Sequence, residues 1–268
     1  MAMRSMWKGL ISFGLVNIPV ALYPAVEDKQ LRFNQLHKED GGRIGYEKVC
    51  KECGKTLEAE EIVRGYEFEK DRYVTISEED FDKFARVASR AIAMQQFVDA
   101  SDIDAIYLDK AYYLGPEEAG KMPYALLLEA LKRAKKVGVA KMVMRDQEYL
   151  ALIRPVDQVL VLNIMHYPDE IRKPEGIGLP SAEVKLGDRE LEMAGLLVKS
   201  MSGEFQPAEF PDTYREELLE MIRAKAEGAE YQPVEASLLP TNVIDIVARL
   251  KASIDQAEEQ KKGKQARG

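Results

Sequence analysis

The chain has 268 residues, enough for one large domain or two modest ones. A hydrophobic fraction of 46% beside 31% charged residues excludes wholesale disorder. The two cysteines exclude a disulfide scaffold, and apolar runs such as Val159–Leu162 are far shorter than the roughly 20 residues that span a bilayer. The N-terminus lacks a signal-peptide pattern, so we expect a cytoplasmic protein without a membrane span.

The first third of the chain is predicted to be rich in β-structure. Residues 9–20 contain many β-branched residues and are interrupted by Gly14 and Pro19, which favours strands or a hairpin over a helix. Ser77 precedes three acidic residues and is expected to cap a helix that runs through Val87. Further short strands are predicted at 73–76, 91–98 and 111–114.

The middle of the chain predicts one helix followed by three strands. Apolar residues at helical spacing predict a helix over 122–137 that ends at Gly138; they are Leu126, Leu127, Ala130, Leu131 and Ala134. Strands are predicted at 139–144, 149–153 and 159–165. Short strands at this spacing are typical of an antiparallel sheet or barrel.

After about residue 180 the pattern becomes helical. Helices are predicted at 188–201 and 212–225, with a linker-like stretch over 227–240. A last helix, from about Asn242, has one apolar stripe suited to docking in a groove: Val243, Ile246, Val247, Leu250 and Ile254. Residues 261–268 contain four basic and no acidic residues, Lys261, Lys262, Lys264 and Arg267, and form a tail opposite in sign to the acidic body.

Basic residues are concentrated in the middle of an acidic chain. The net charge of −8 argues against a protein coated in nucleic acid, but says little about any single face. Residues 120–145 contain seven basic residues and one acidic residue, which suggests a surface that faces phosphate groups. The candidates are Lys121, Lys132, Arg133, Lys135, Lys136, Lys141 and Arg145, with Arg172 and Lys173 beyond them.

The segment Cys50-Lys51-Glu52-Cys53-Gly54 presents two thiols on one tight turn. That is the geometry of half a tetrahedral zinc site, to which His37 could add a third ligand and a homodimer the remainder. The favoured alternative is a pair of partly buried, inert thiols or the remnant of a zinc knuckle, and a redox pair would normally lie in a βαβ context, which is absent here. We therefore expect no firm cofactor, with zinc as the one candidate.

Evidence for catalysis is weak. The chain has no phosphate-binding Walker loop, dinucleotide glycine motif, HExxH motif or GxSxG nucleophile elbow. Asp99, Asp102 and Asp104 could hold Mg²⁺ in a nuclease, or form a solvated loop between two strands. We therefore do not expect an enzyme.

Several ordered motifs are spread from about Met3 to about Gly228. They are Trp7-Lys8-Gly9, Phe13 to Val20, Phe33 to His37, Gly42-Arg43-Ile44, Val49-Cys50 with Cys53-Gly54, Tyr113-Leu114, Pro168 to Arg172, Met193-Ala194-Gly195 and Asp212-Thr213-Tyr214. Together these motifs resemble the bacterial Ku family, the DNA-end-binding factor of prokaryotic non-homologous end joining. Asn34 departs from relatives that often have histidine there, and the C-terminal extension is short.

The resemblance implies an α+β, mainly β fold: an antiparallel β-barrel core with a helical C-terminal arm, forming a ring-shaped homodimer. We expect a barrel core with a DNA-encircling segment over 1–180, the arm over 181–228, and a linker, amphipathic helix and basic tail over 229–268. The implied function is sequence-independent binding of double-stranded DNA ends, with recruitment of the ATP-dependent DNA ligase D. The alternatives are a zinc-ribbon-like nucleic-acid accessory module and, less favoured, a metal-dependent nuclease.

Overall fold

The structure, a computed structural model, describes residues 3–85, 90–144, 147–180, 186–229 and 231. The chain divides into two compact units, Met1–Lys173 and Pro174–Gly268. The first unit contains β1 (Trp7–Phe13), β2 (Val16–Pro24), β3 (Arg64–Glu69), β4 (Arg72–Ile76), α1 (Glu78–Ala85), β5 (Ala91–Asp99), β6 (Leu108–Pro116), α2 (Lys121–Ala134), β7 (Lys136–Met144), β8 (Gln147–Val156) and β9 (Val159–Met165). The second contains α3 (Asp188–Met201) and α4 (Thr213–Ala226).

Seven strands close into a barrel in the order β1-β2-β6-β9-β8-β7-β5. The predicted hairpin is confirmed: β1 and β2 pair antiparallel, and Gly14 supplies a left-handed φ of 57° in the turn between them. The expectation of an antiparallel barrel needs one correction, because β1 and β5 pair in parallel and close the ring. A closed ring leaves no barrel strand with an unpaired edge.

Alternate residues of the barrel strands form its interior. The side chains of Ile18, Val20 and Leu22 on β2 belong to the buried core, as do those of Leu160 and Leu162 on β9. Helix α2 adds Tyr124, Leu127, Leu128 and Leu131 to the same cluster. The sequence-based stripe was therefore partly wrong, since Leu126 is 71% exposed and Tyr124 and Leu128 are buried in its place.

A second, smaller cluster covers the outer face of the barrel. Val137, Val139, Leu152 and Met165 are buried there, with half-buried apolar side chains from the 98–108 region packed against them. Because strand residues alternate between faces, β7 and β8 contribute to both clusters. The neighbouring outward position on β7, Lys141, is exposed.

Residues 25–90 leave the barrel between β2 and β5, and we call them the excursion. Its two-stranded sheet, β3 with β4, is separate from the barrel, and none of the residues described for β3 and β4 is buried. Ser77 caps α1 as predicted, because its hydroxyl accepts a hydrogen bond from the Asp80 amide at 3.2 Å. Helix α1 is described from Glu78 to Ala85, and its predicted end at Val87 lies outside the described residues.

The second unit is helical, as the sequence predicts. Asp212 precedes α4, and its carboxylate accepts a hydrogen bond from the Arg215 amide at 3.0 Å. Phe205 and Phe210 stack with ring centroids 5.7 Å apart between the two helices. No residue of α3 or α4 is buried, so the apolar side chains of these helices lack a core within the part of the chain that the structure describes.

Candidate nucleic-acid interface

The basic residues of the middle region lie at both ends of α2 and on β7: Lys121 begins the helix, Lys132, Arg133 and Lys135 lie at its end, Lys136 begins β7, and Lys141 is outward-facing on that strand. The predicted helix end was wrong: α2 ends at Ala134, and Lys135 adopts the left-handed conformation with φ 53° and ψ 34°. The Lys135 amide donates hydrogen bonds to the carbonyls of Leu131 and Lys132. Lys136 then begins β7, so it is a strand residue and not part of the helix.

Four of these cations already have a carboxylate partner. A phosphate group would have to compete with these carboxylates, although exposed pairs of this kind are each worth only about 0–1 kcal/mol. The pairs are Lys121 with Glu118 at 2.7 Å, Arg133 with Glu129 at 2.7 Å, Lys136 with Asp99 at 2.7 Å and Lys141 with Glu148 at 2.9 Å. Lys132 and Lys135 form no ion pair with any described residue.

Lys141 belongs to a polar cluster that sequence reasoning missed. Its ammonium group and the hydroxyl of Tyr167 both donate to the same oxygen of Glu148, each at 2.9 Å. These two hydrogen bonds lower the pKa of the Glu148 carboxyl. Burial, the hydrogen bond to Glu148 and nearby carboxylates raise the pKa of Tyr167 to about 12, so Glu148 stays charged and Tyr167 stays protonated near neutral pH.

The chain after β9 turns sharply and leads to Arg172 and Lys173. The Glu170 carboxylate accepts a hydrogen bond from the Tyr167 amide at 2.6 Å and lies 3.7 Å from Nδ1 of His166. Arg172 and Lys173 are exposed, and within the described ranges neither forms an ion pair. Their positive charges are therefore available to an anionic partner.

The cysteine pair lies on one of two turns that share the same backbone geometry. The Cys50 amide donates to the Lys55 carbonyl at 2.9 Å, and the Gly54 amide to the Cys50 carbonyl at 2.9 Å. The first turn has the same two hydrogen bonds. The His37 amide donates to the Gly42 carbonyl at 2.8 Å, and the Gly41 amide donates to the His37 carbonyl at 2.9 Å. Gly41 and Gly54 both have a left-handed φ, of 69° and 71°.

Each turn brings together two potential metal ligands. On the first turn Nδ1 of His37 lies 2.9 Å from a carboxylate oxygen of Asp40, and on the second the backbone amides of Cys53 and Glu52 and the Cys53 side chain lower the pKa of Cys50. A closed zinc site needs four ligands. No cluster of three or more potential ligands occurs among the described residues, so zinc binding by Cys50, Cys53 and His37 stays a prediction.

Asp99, Asp102 and Asp104, which were considered as Mg²⁺ ligands of a nuclease, instead form hydrogen bonds to nearby backbone amides and one ion pair. Asp102 accepts a hydrogen bond from the Asp99 amide at 3.3 Å, and Asp104 accepts one from the Ile106 amide at 2.9 Å. Asp99 is the partner of Lys136. These contacts match the alternative to a Mg²⁺ site, a solvated loop in which short acidic side chains stabilise turns.

Several predicted site residues lie outside the described residues. They are Arg145 and all candidates near the C-terminus: Val243, Ile246, Val247, Leu250, Ile254, Lys261, Lys262, Lys264 and Arg267.

The described residues form a mixed α and β protein built on a closed seven-stranded barrel. The family model described as the Ku70/Ku80 beta-barrel domain matches residues 12–193. The chain belongs to the Ku family. The family consists of non-catalytic DNA-end-binding proteins, which confirms the expectation that the chain is not an enzyme.

Relatives match almost the whole chain. The protein named non-homologous end joining protein Ku of Bacillus subtilis is 41% identical over 95% of this chain and 82% of its own length. Proteins of the same name from Desulfitobacterium hafniense and Archaeoglobus fulgidus are 42% and 41% identical, over 97% and 94% of this chain and 90% and 99% of their own lengths. The resemblance inferred from the sequence motifs is thereby confirmed.

None of the helices in the described ranges combines the length and the apolar composition needed to cross a bilayer.

Proposed function

We propose that two copies of this chain close around the end of a DNA duplex, without sequence preference, in the non-homologous end joining of double-strand breaks. Membership of the Ku family supports end binding. A ring can load only at an end, so the topology of the DNA decides binding. Contacts to phosphate and sugar carry no base information.

The observation that supports a dimer is the amount of apolar surface that stays exposed on each unit of the chain. In the excursion, Phe33 is 69% exposed and Tyr66 is 66% exposed. In the second unit, Leu196, Val198 and Phe205 are more than half exposed. Helices of this length have marginal stability without a packed face, so α3 and α4 need a partner surface. A second copy of the chain is the partner that supplies matching surfaces by symmetry.

The charge distribution supports a channel lined with cations inside an acidic exterior. A duplex bears one negative charge per about 1.7 Å of its axis, so only the channel lining needs to be positive. The proposed contacts within the described residues are Lys121, Lys132, Arg133, Lys135, Lys136, Lys141, Arg172 and Lys173. Arg145 and the basic tail are proposed from the sequence alone.

Recruitment of the ATP-dependent DNA ligase D is the finer part of the proposal. It rests on the apolar stripe from Val243 to Ile254 and on the family resemblance. An amphipathic helix can lay such a stripe into a groove of a partner protein. The basic residues at 261–268 would touch DNA outside the ring.

The proposed function is tested by comparing linear with covalently closed circular duplex of the same sequence in a gel-shift assay. We expect the full chain to shift the linear form and leave the closed circle free, and cutting the circle once should restore binding. Sedimentation equilibrium should give twice the chain mass of 30.3 kDa. Equal binding to both DNA forms would overturn end recognition, and a monomer mass at micromolar concentration would overturn the dimer.

A further inference from the structure

Two hydrogen-bond donors on the outer side of the barrel converge on a single acceptor oxygen. The Lys141 ammonium comes from β7, and the Tyr167 hydroxyl comes from the segment that follows β9. Both reach the same carboxylate oxygen of Glu148 at 2.9 Å. The Lys141 nitrogen also lies over the Tyr167 ring, 5.9 Å from its centre, in a cation–π arrangement.

The barrel holds these donors in place before any ligand arrives. Lys141 is outward-facing on a strand whose neighbours Ala140 and Met142 are fully buried, with 0% and 1% exposure. The Tyr167 backbone is fixed by the hydrogen bond from its amide to Glu170. The side chains of Lys141 and Glu148 are 46% and 51% exposed, so a ligand in solvent can reach the site.

A cation and a hydroxyl aimed at one anionic oxygen form the contact set that DNA-binding proteins use for a phosphate group. We propose that Lys141 and Tyr167 bind a non-bridging phosphate oxygen of the DNA backbone, and that Glu148 occupies this position in the free protein. The carboxylate keeps both donors oriented but competes with the phosphate, and must turn away when DNA binds. This inference rests on the proposed DNA-binding function and adds an internal competitor that lowers affinity.

Removing the charge of Glu148 should strengthen DNA binding, whereas most substitutions at a binding site weaken it. Glu148→Gln keeps the size of the side chain and removes its charge, so Lys141 no longer gives up an ion pair when it binds the phosphate group. We expect about two- to fivefold tighter binding of a linear duplex, the range of a surface ion pair. The log–log salt slope should change by less than about 0.9, because Lys141 neutralises the same phosphate group in both proteins once DNA is bound. Fluorescence anisotropy across a salt series measures both quantities.

Three further variants separate this site from a general change in charge. Asp109→Asn removes one exposed carboxylate of the same barrel that forms no ion pair within the described ranges, and should change affinity less than Glu148→Gln. In the double variant Lys141→Gln/Glu148→Gln the gain should disappear. Tyr167→Phe should weaken binding while leaving the thermal unfolding of the barrel near that of the wild type at neutral pH.

The outcomes distinguish this inference from the proposed function. If the wild type binds linear duplex but Glu148→Gln binds no more tightly, or no more tightly than Asp109→Asn, the phosphate site is overturned and end binding stands. A gain that persists in the double variant also overturns it, because Lys141 would not be the group released. If the wild type fails to bind linear duplex at low salt, the proposed function itself is overturned.

Discussion

The hydroxyl of Tyr124 accepts a hydrogen bond from the buried amide of Leu160 at 2.7 Å. The same hydroxyl donates to the carbonyl of Leu114 at 2.6 Å. Leu114 and Leu160 are register partners on β6 and β9, so one side chain of α2 joins the ends of two barrel strands. Burial raises the pKa of Tyr124, and the hydroxyl therefore stays protonated as a donor at neutral pH. This contact fastens α2, and the basic residues at its end, to the barrel.

Tyr124→Phe should destabilise the first unit by about 1–2 kcal/mol, because the buried Leu160 amide and Leu114 carbonyl would lose their partner. Chemical denaturation followed by circular dichroism measures the loss. Tyr149→Phe is the matched control: its hydroxyl bonds to Gln147 on the surface at 3.1 Å, so its loss should be under about 0.5 kcal/mol. Equal losses in both variants would show that the Tyr124 bridge contributes nothing specific.

Stability should fall in alkali as Tyr167 titrates. The pKa of Tyr167 is about 12 in the folded chain, against about 10 in the unfolded chain. The folded state holds this proton more tightly, so the stabilisation is complete below about pH 10 and is lost as pH rises towards about 12. Denaturation midpoints of the wild type and Tyr167→Phe, which start close together, should diverge from about pH 9 to about pH 12, because only the wild type loses stability as this hydroxyl titrates. Parallel profiles across this window would contradict the assignment.

Neutralising Lys132 and Lys135 should weaken DNA binding and reduce its salt dependence. Both lie at the end of α2 without an ion pair among the described residues, so no internal carboxylate offsets their removal. Lys132→Gln with Lys135→Asn suits the site because asparagine tolerates the left-handed conformation of position 135. The log–log slope should decrease by about 0.9 for each phosphate group that the variant no longer neutralises.

The matched control for the lysine pair is Lys225→Gln, which removes an exposed cation from α4. We expect it to change the slope by less than either substitution at α2. A slope that is unchanged in the Lys132→Gln/Lys135→Asn variant would show that the end of α2 faces solvent and not DNA.

Cys50 should be alkylated faster than Cys53 at neutral pH, although it is the less exposed thiol. Hydrogen bonds from the amides of Cys53 and Glu52 lower the pKa of Cys50 and increase its reactive thiolate fraction. Mass spectrometry after timed iodoacetamide treatment measures both rates, and unfolding in urea should remove the difference. Protection of both thiols by added Zn²⁺, abolished in His37→Ala, would confirm the zinc prediction; no protection would contradict it.

Deleting residues 229–268 should leave the dimer and its end binding largely intact while stimulation of the ligase falls sharply. A linker-like stretch precedes the apolar stripe and the basic tail, so few contacts should tie this segment to the rest of the chain. Ligation of linear duplex by purified ligase D, with and without the truncated chain, gives the comparison. Aggregation or loss of the dimer on truncation would show that the segment is structural.

Elements with strong local patterns could be predicted from the sequence. The β1–β2 hairpin follows from β-branched residues on both sides of Gly14, and α1 from the Ser77 cap. The end of α2 was missed because Gly138 looks like a helix stop. In the structure Gly138 lies in β7, where an added Cβ would be 2.1 Å from the end of the Met94 side chain, so glycine at this position leaves room for Met94 to pack against the strand.

The cluster of Lys141, Glu148 and Tyr167 could not be predicted from the sequence, because it depends on which strands pair. Glu148 and Tyr167 are far apart in the chain and match no motif, yet the pairing of β7 with β8 and of β8 with β9 brings them beside Lys141. The same holds for Asp99 and Lys136, which are register partners on β5 and β7. A concentration of positive charge can be counted in a sequence, whereas its neutralisation by carboxylates requires the sheet register.

The parallel seam between β1 and β5 gives the barrel a mechanical weak point. Among the described residues it has three register pairs, Leu10–Ser12 with Ala91–Ala93, fewer than any other pairing in the barrel. The excursion joins the barrel directly at this seam, since β5 begins where residues 25–90 end. Tension on the excursion would therefore peel β5 from β1 one hydrogen bond at a time, so the barrel would yield first at the strand pair that closes it.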